Sequence, residues 1–194
     1  MERKRINIGQ WKMKKGKAAC ILILFLLVLA WGHQVYAVNR LIPQTEIRVM
    51  KGRRWNPWKD GIEVKVNKAD FMSDSAIRET KGTENVLYNY EMKLMWVDLQ
   101  IRNSRTEEKM VDLLDIAAES EGWCNIPDVQ FYDILGESSK PLRLNIEPGE
   151  TLTYRLPYLF VKANFRNPEW KRIEDKDYYL TLSLYPEKKM IHVP

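Results

Sequence analysis

Residues 18–38 read AACILILFLLVLAWGHQVYAV and contain no Asp, Glu, Lys or Arg. Twenty-one helical residues at about 1.5 Å each measure roughly 31 Å, the thickness of a bilayer's hydrocarbon core. The stretch therefore divides the chain into a basic tail (1–17), a transmembrane anchor (18–38), a juxtamembrane connector (39–60) and a polar domain (61–194). A cleaved signal peptide stays open beside the retained anchor. The apolar core proper ends at Trp31 after 14 residues, and Val35-Tyr36-Ala37 offers a small residue for cleavage following Ala37. The long tail, the renewed apolar character at Val35, and Trp31 and Tyr36 as interfacial rings favour retention. Cys20 stands at the start of the apolar run, where lipid attachment would need it at the end.

The tail carries seven cations and one acid, whereas residues 39–53 hold Arg40, Arg48, Lys51 and Arg53. This asymmetry places the N-terminus in the cytoplasm and the large domain outside the cell. Without the tail the chain has 24 cations and 25 acids, so its basic character belongs to the topology signal and nucleic acid is not an expected partner. Cys124 is the single cysteine beyond the span, which leaves the domain no internal disulfide. It reads as a buried small hydrophobe.

The connector shows little periodicity. Its cluster KGRRWNPWK at 51–59 places Arg53 and Arg54 beside Trp55 and Trp58, the candidate partner-binding residues, suited to lipid headgroups or an anionic envelope polymer. The competing reading is that both rings cover one end of the domain while the charges are solvated.

From Gly61 the pattern turns to period two. Ile62, Val64 and Val66 alternate with polar residues, as do Met95, Val97, Leu99 and Ile101, and later Leu152 to Phe160 and Leu180 to Leu184. Met190 to Val193 suggests a returning strand. Residues 73–89 and 164–176 read as exposed loops. Residues 109–120 space Met110, Leu113, Leu114, Ala117 and Ala118 as an amphipathic helix would, and Val129 to Leu135 fits one helical turn or a short strand. Glu147-Pro148-Gly149-Glu150 is a type II turn, so the strands flanking it need not pair with each other. Pro157 assigns its strand to an edge or a bulge. About seven strands separated by turns predict a mainly β chain, a β-sandwich preceded by one N-terminal transmembrane helix.

The stretches GIEVKV at 61–66, WVDLQIRNS at 96–104 and LNIEPGET at 144–151 resemble the immunoglobulin-like (telokin-like) exported domains of unknown function on Gram-positive bacterial, membrane-anchored surface proteins. The resemblance implies an immunoglobulin-like sandwich over 61–193, with a strand rather than a helix in 109–120, and it supplies no catalytic residues.

Chemistry is sparse. His33 lies in the span and His192 near the end, so a histidine general base or a paired-histidine metal site is not expected. The acids lack the spacing of a calcium loop, and no glycine cluster cradles phosphate. No cofactor is expected. The pattern points to a tethered, non-catalytic binding or accessory module of the cell envelope, with an envelope protein or cell-wall polymer as partner. The alternatives are a carbohydrate-binding module using Trp55, Trp58, Trp123 or Trp170, and a small hydrolase built on carboxylates alone.

Overall fold

The computed structural model describes residues 8–41, 45–84, 89–135 and 140–194, and the chain divides into two units. In the first, helix α1 (Ile8–Leu41) runs through the apolar stretch. Its segment Gly16–Leu41 is long and apolar enough to cross a membrane, with its side chains exposed throughout. The helix exceeds residues 18–38 because good helix formers flank the apolar run on both sides.

The second unit begins at Thr45. Its strands are β1 (Glu46–Lys51), β2 (Asn56–Pro57), β3 (Ile62–Met72), β4 (Met92–Asn103), β5 (Lys109–Asp112), β6 (Ala117–Ser120), β7 (Trp123–Asn125), β8 (Arg143–Ile146), β9 (Thr151–Val161), β10 (Tyr179–Ser183) and β11 (Glu187–His192). Three short helices accompany them: α2 (Asp74–Glu79), α3 (Val129–Ile134) and α4 (Asn167–Lys171). One sheet has the order β2-β3-β4-β9, another β1-β11-β10-β6-β7, and β5 pairs with β8. The fold is mainly β and sandwich-like. Ile62, Val64, Val66, Val97, Leu99 and Ile101 meet Leu180, Leu182 and Ile191 of the facing sheet in one buried core.

Several expectations change. The connector does not stand apart from the domain: β1 pairs in parallel with β11, and β2 pairs with β3. The pairing of β1 was invisible as periodicity because Glu46 to Val49 are exposed on both faces. Residues 109–120 form two strands around a single 3₁₀ turn, with Val111, Leu113 and Ala118 buried but Met110 exposed. Partner strands β8 and β10 outweigh the helical spacing. As the type II turn and Pro157 imply, the strands flanking Pro148-Gly149 pair with different neighbours, and β9 is an edge strand. Its free edge is covered where the Asp128 backbone amide donates to the Pro157 carbonyl at 2.8 Å and the Asn125 side-chain Nδ2 to that of Leu159 at 3.1 Å.

Both expected loops contain docked helix. Residues 164–176 include α4 and bury Trp170 and Ile173. In 73–89, α2 is capped by Ser73 and buries Ile77, and Asp74 accepts from the Met92 amide at 3.0 Å. Val86, Leu87 and Tyr88 of this expected loop lie outside the described residues. Helices α2 and α3 roof one end of the outer face of the four-stranded sheet, where Ile77 and Phe131 bury Met92, Leu94, Trp96 and Leu159.

Candidate functional site

The open half of that outer face is the most elaborated surface of the domain. It is built in rows, because residues paired across antiparallel strands project to the same side. Glu63 and Arg102 form one row, Lys65, Gln100 and Thr153 the next, Lys68, Asp98 and Arg155 the third, and Asp70 with Trp96 the fourth, against the roof.

A bulge shapes the third row. The register of β3 on β4 slips between Val66 and Lys68, so Asn67 is an extra residue. Alternation then places Asn67 and Lys68 on the same outward side while Ala69 and Phe71 return to the core. Lys68 bridges Asp70 at 2.6 Å and Asp98 at 3.6 Å. Arg155 reaches Asp98 at 3.3 Å and Asp70 at 3.7 Å, and its guanidinium lies 5.1 Å from the Trp96 ring centre. The Lys68 ammonium beside it holds the Asp70 carboxyl below the usual carboxylate range, and the same hydrogen bond raises Lys68. The carboxylates thus hold two cations in fixed positions with donors to spare, since a guanidinium has five and an ammonium three.

Two depressions flank this row. A cleft of about 530 Å³ is lined by Arg53, Asn67, Lys68, Asp98, Lys140, Thr153, Tyr154 and Arg155. Four of these are cations and one is a carboxylate, a balance that favours an anion. Lys140 donates to the Thr153 carbonyl at 3.2 Å and lies 5.8 Å from the Tyr154 ring centre. On the other side, a groove of about 610 Å³ at the lip of the roof contains Asp70, Ser73, Ala76, Thr80, Trp96 and Glu174, and it shares Arg155 with the cleft.

The four candidate residues part company. Arg53 is exposed and lines the cleft. Arg54 is exposed outside both depressions. Trp55 is half-buried, its ring 4.3 Å from the Arg102 guanidinium. Trp58 is 3% exposed and belongs to the core, as the covering reading of the rings required. Among the other carbohydrate candidates, Trp170 is buried, and Trp123 stacks on Phe160 with ring centres 4.0 Å apart. These four tryptophans therefore form no flat exposed pair of rings.

Cys124 is exposed, contrary to the expectation of a buried hydrophobe, because it alternates with the inward-packed Trp123 and lies on the outer face of its sheet beside Glu119. Partial burial, with Glu119 nearby, nevertheless pushes its thiol up, away from the thiolate a nucleophile needs. His192, Tyr179, Glu119 and Cys124 share one row. The histidine is thus three strand spacings, about 14 Å, from the thiol. Asp70, Asp74, Glu91 and Asp112 all have carboxyls below their ordinary range. A general acid needs the opposite shift. No cluster of three metal-ligating side chains occurs among the described residues.

Asn67, Lys68, Lys140, Thr153 and Arg155 were not singled out from the sequence. One signal was present: the apolar series 62, 64, 66 resumes at 69 and 71, and that change of parity marks a bulge.

A family model described as a domain of unknown function, DUF5028, matches residues 57–189. Comparison with curated proteins returns no match. Among solved structures, the chain is similar to a conserved hypothetical protein from Bacillus anthracis at 13% identity, covering 73% of this chain and 94% of that one, with a TM-score of 0.47. A functionally unknown protein from Listeria monocytogenes EGD-e matches at 16% identity over 73% of this chain and 80% of that one, TM-score 0.46. An uncharacterized β-sandwich protein from Clostridium difficile 630 matches at 14% identity over 78% and 97%, TM-score 0.42.

Proposed function

We propose that this chain, which belongs to the DUF5028 family of domains of unknown function, is a membrane-tethered, non-catalytic binding module of the cell envelope. In this reading α1 is the retained single-pass anchor, the tail is cytoplasmic, and the domain outside recognises an anionic envelope partner on the outer face of its four-stranded sheet. The resemblance to tethered immunoglobulin-like surface domains accords with it.

One observation carries the reading: the bulge at Asn67 and Lys68 combines with Arg53, Lys140 and Arg155 to line a single cleft with four cations and one carboxylate. Ordinary sheet alternation would turn one of the two bulge residues inward. The lowered carboxyls support a non-catalytic role, since they remain charged and paired.

The test is retention of the full-length protein, in detergent micelles, on isolated cell-wall material. Arg53→Ala with Lys68→Ala should weaken retention at least about tenfold, or ~1.4 kcal/mol. Removing two exposed cations elsewhere, Lys81→Ala with Lys171→Ala, should leave it nearly unchanged. Equal loss in both variants would reduce the effect to net charge and remove the site.

A further inference from the structure

The cleft and the groove differ in chemistry and meet at one residue. The cleft offers Arg53, Lys68 and Lys140. The groove offers the Ser73 and Thr80 hydroxyls and the Asp70 and Glu174 carboxylates, beside a nearly buried Trp96. Arg155 belongs to both. Along the strands the groove lies from the cleft in the direction of Lys68 to Asp70 and of Asp98 to Trp96, two paired rows that are one two-residue step, about 6.8 Å, apart.

An anion is favoured on the cationic side. A second anion is disfavoured in the groove, where Asp70 and Glu174 would face it. Carboxylates do, however, accept hydrogen bonds from neutral sugar or polyol hydroxyls, and the Ser73 and Thr80 hydroxyls can exchange them. Each depression has the volume of an ordinary ligand pocket.

We infer that cleft and groove are two subsites of one channel, which binds a phosphorylated glycan or polyol with its phosphate among Arg53, Lys68 and Lys140 and the adjoining neutral hydroxylated unit in the groove. This rests on the proposed recognition role of the sheet's outer face and adds the ligand class and its direction. Arg155, held by Asp98 and Asp70 and lying over Trp96, is the positioning residue between the subsites.

Titration calorimetry on the full-length protein in detergent micelles, with inorganic phosphate, maltotriose and maltotriose phosphate, tests this. Maltotriose phosphate should bind about tenfold or more tighter than either fragment, because the second contact becomes intramolecular. Ala76→Glu, which places bulk and a carboxylate in the groove, should erase that advantage while leaving phosphate binding intact. Ala76→Gln should weaken it by bulk alone, which guards against a folding defect in the first variant.

Equal affinity for phosphate and maltotriose phosphate would overturn the two-subsite channel yet leave the cationic recognition site standing. Absence of any Arg53-dependent phosphate binding would overturn the recognition reading itself. Equal competition by phosphatidylglycerol vesicles would place lipid headgroups in the cleft and overturn the channel.

Discussion

The indole nitrogen of Trp58 donates a 2.9 Å hydrogen bond to the carbonyl of Leu182, joining the residue after β2 to β10 in the facing sheet. The bond is buried, so its loss strands a carbonyl away from water. Trp58→Ala should cost about 3–5 kcal/mol of stability. Trp55→Ala, which gives up a half-exposed ring stacked with Arg102, should cost about 1 kcal/mol or less. Denaturant unfolding of the two variants checks the difference.

The roof formed by α2 and α3 gives a second test. Leu99 faces the sandwich core and Gln100 the open outer face, while Leu94, on the same outer side as Gln100, is fully buried against Ile77 and Phe131. Leu99→Ala and Leu94→Ala should each cost about 2–5 kcal/mol, and Gln100→Ala well under about 1. A mild Leu94→Ala would mean that the roof is not docked.

Acid stability should depend on Glu91. Hydrogen bonds from Lys162 at 2.6 Å and from the Trp170 indole at 2.9 Å lower its carboxyl below 4.5. A depressed folded value contributes stability that is complete above the unfolded value and is lost as pH falls through the folded one. Glu91→Gln should therefore lower stability at neutral pH and flatten its decline below about pH 4.5. An unchanged acid limb in equilibrium unfolding would contradict this assignment.

Protease added to intact protoplasts should digest residues 45–194 and spare the tail, as the cation asymmetry predicts. Protection of the domain would reverse the topology, and a fragment beginning at Val38 would show cleavage after Ala37.

The legible parts of the fold were those where one face is wet and the other dry, as in Ile62 to Val66 and Met95 to Ile101. There a single parity settles which side is buried. Leu94 to Val97 is apolar in both parities, a sign of burial on both faces, but what covers the outer face lies far away in sequence, in Ile77 and Phe131. Residues 109–120 misled because a spacing that fits a helix was also met by two short strands, whose partners Arg143 to Ile146 and Tyr179 to Thr181 are remote. Of the site, Arg53 was legible as an exposed cation. Arg155 was not, since only the sheet register sets it beside Lys68 and Asp98, and neither was Lys140, which comes from outside the strands and reaches the cleft by donating to the Thr153 carbonyl.

The most direct test of the recognition surface is a photo-crosslinking residue placed in living cells at Asn67, on the cleft, and separately at Lys171, on the exposed part of α4. The account predicts covalent capture of envelope polymer from position 67, abolished by Arg53→Ala, and none from position 171. Capture from 171 alone, or equal capture from both positions, would contradict it.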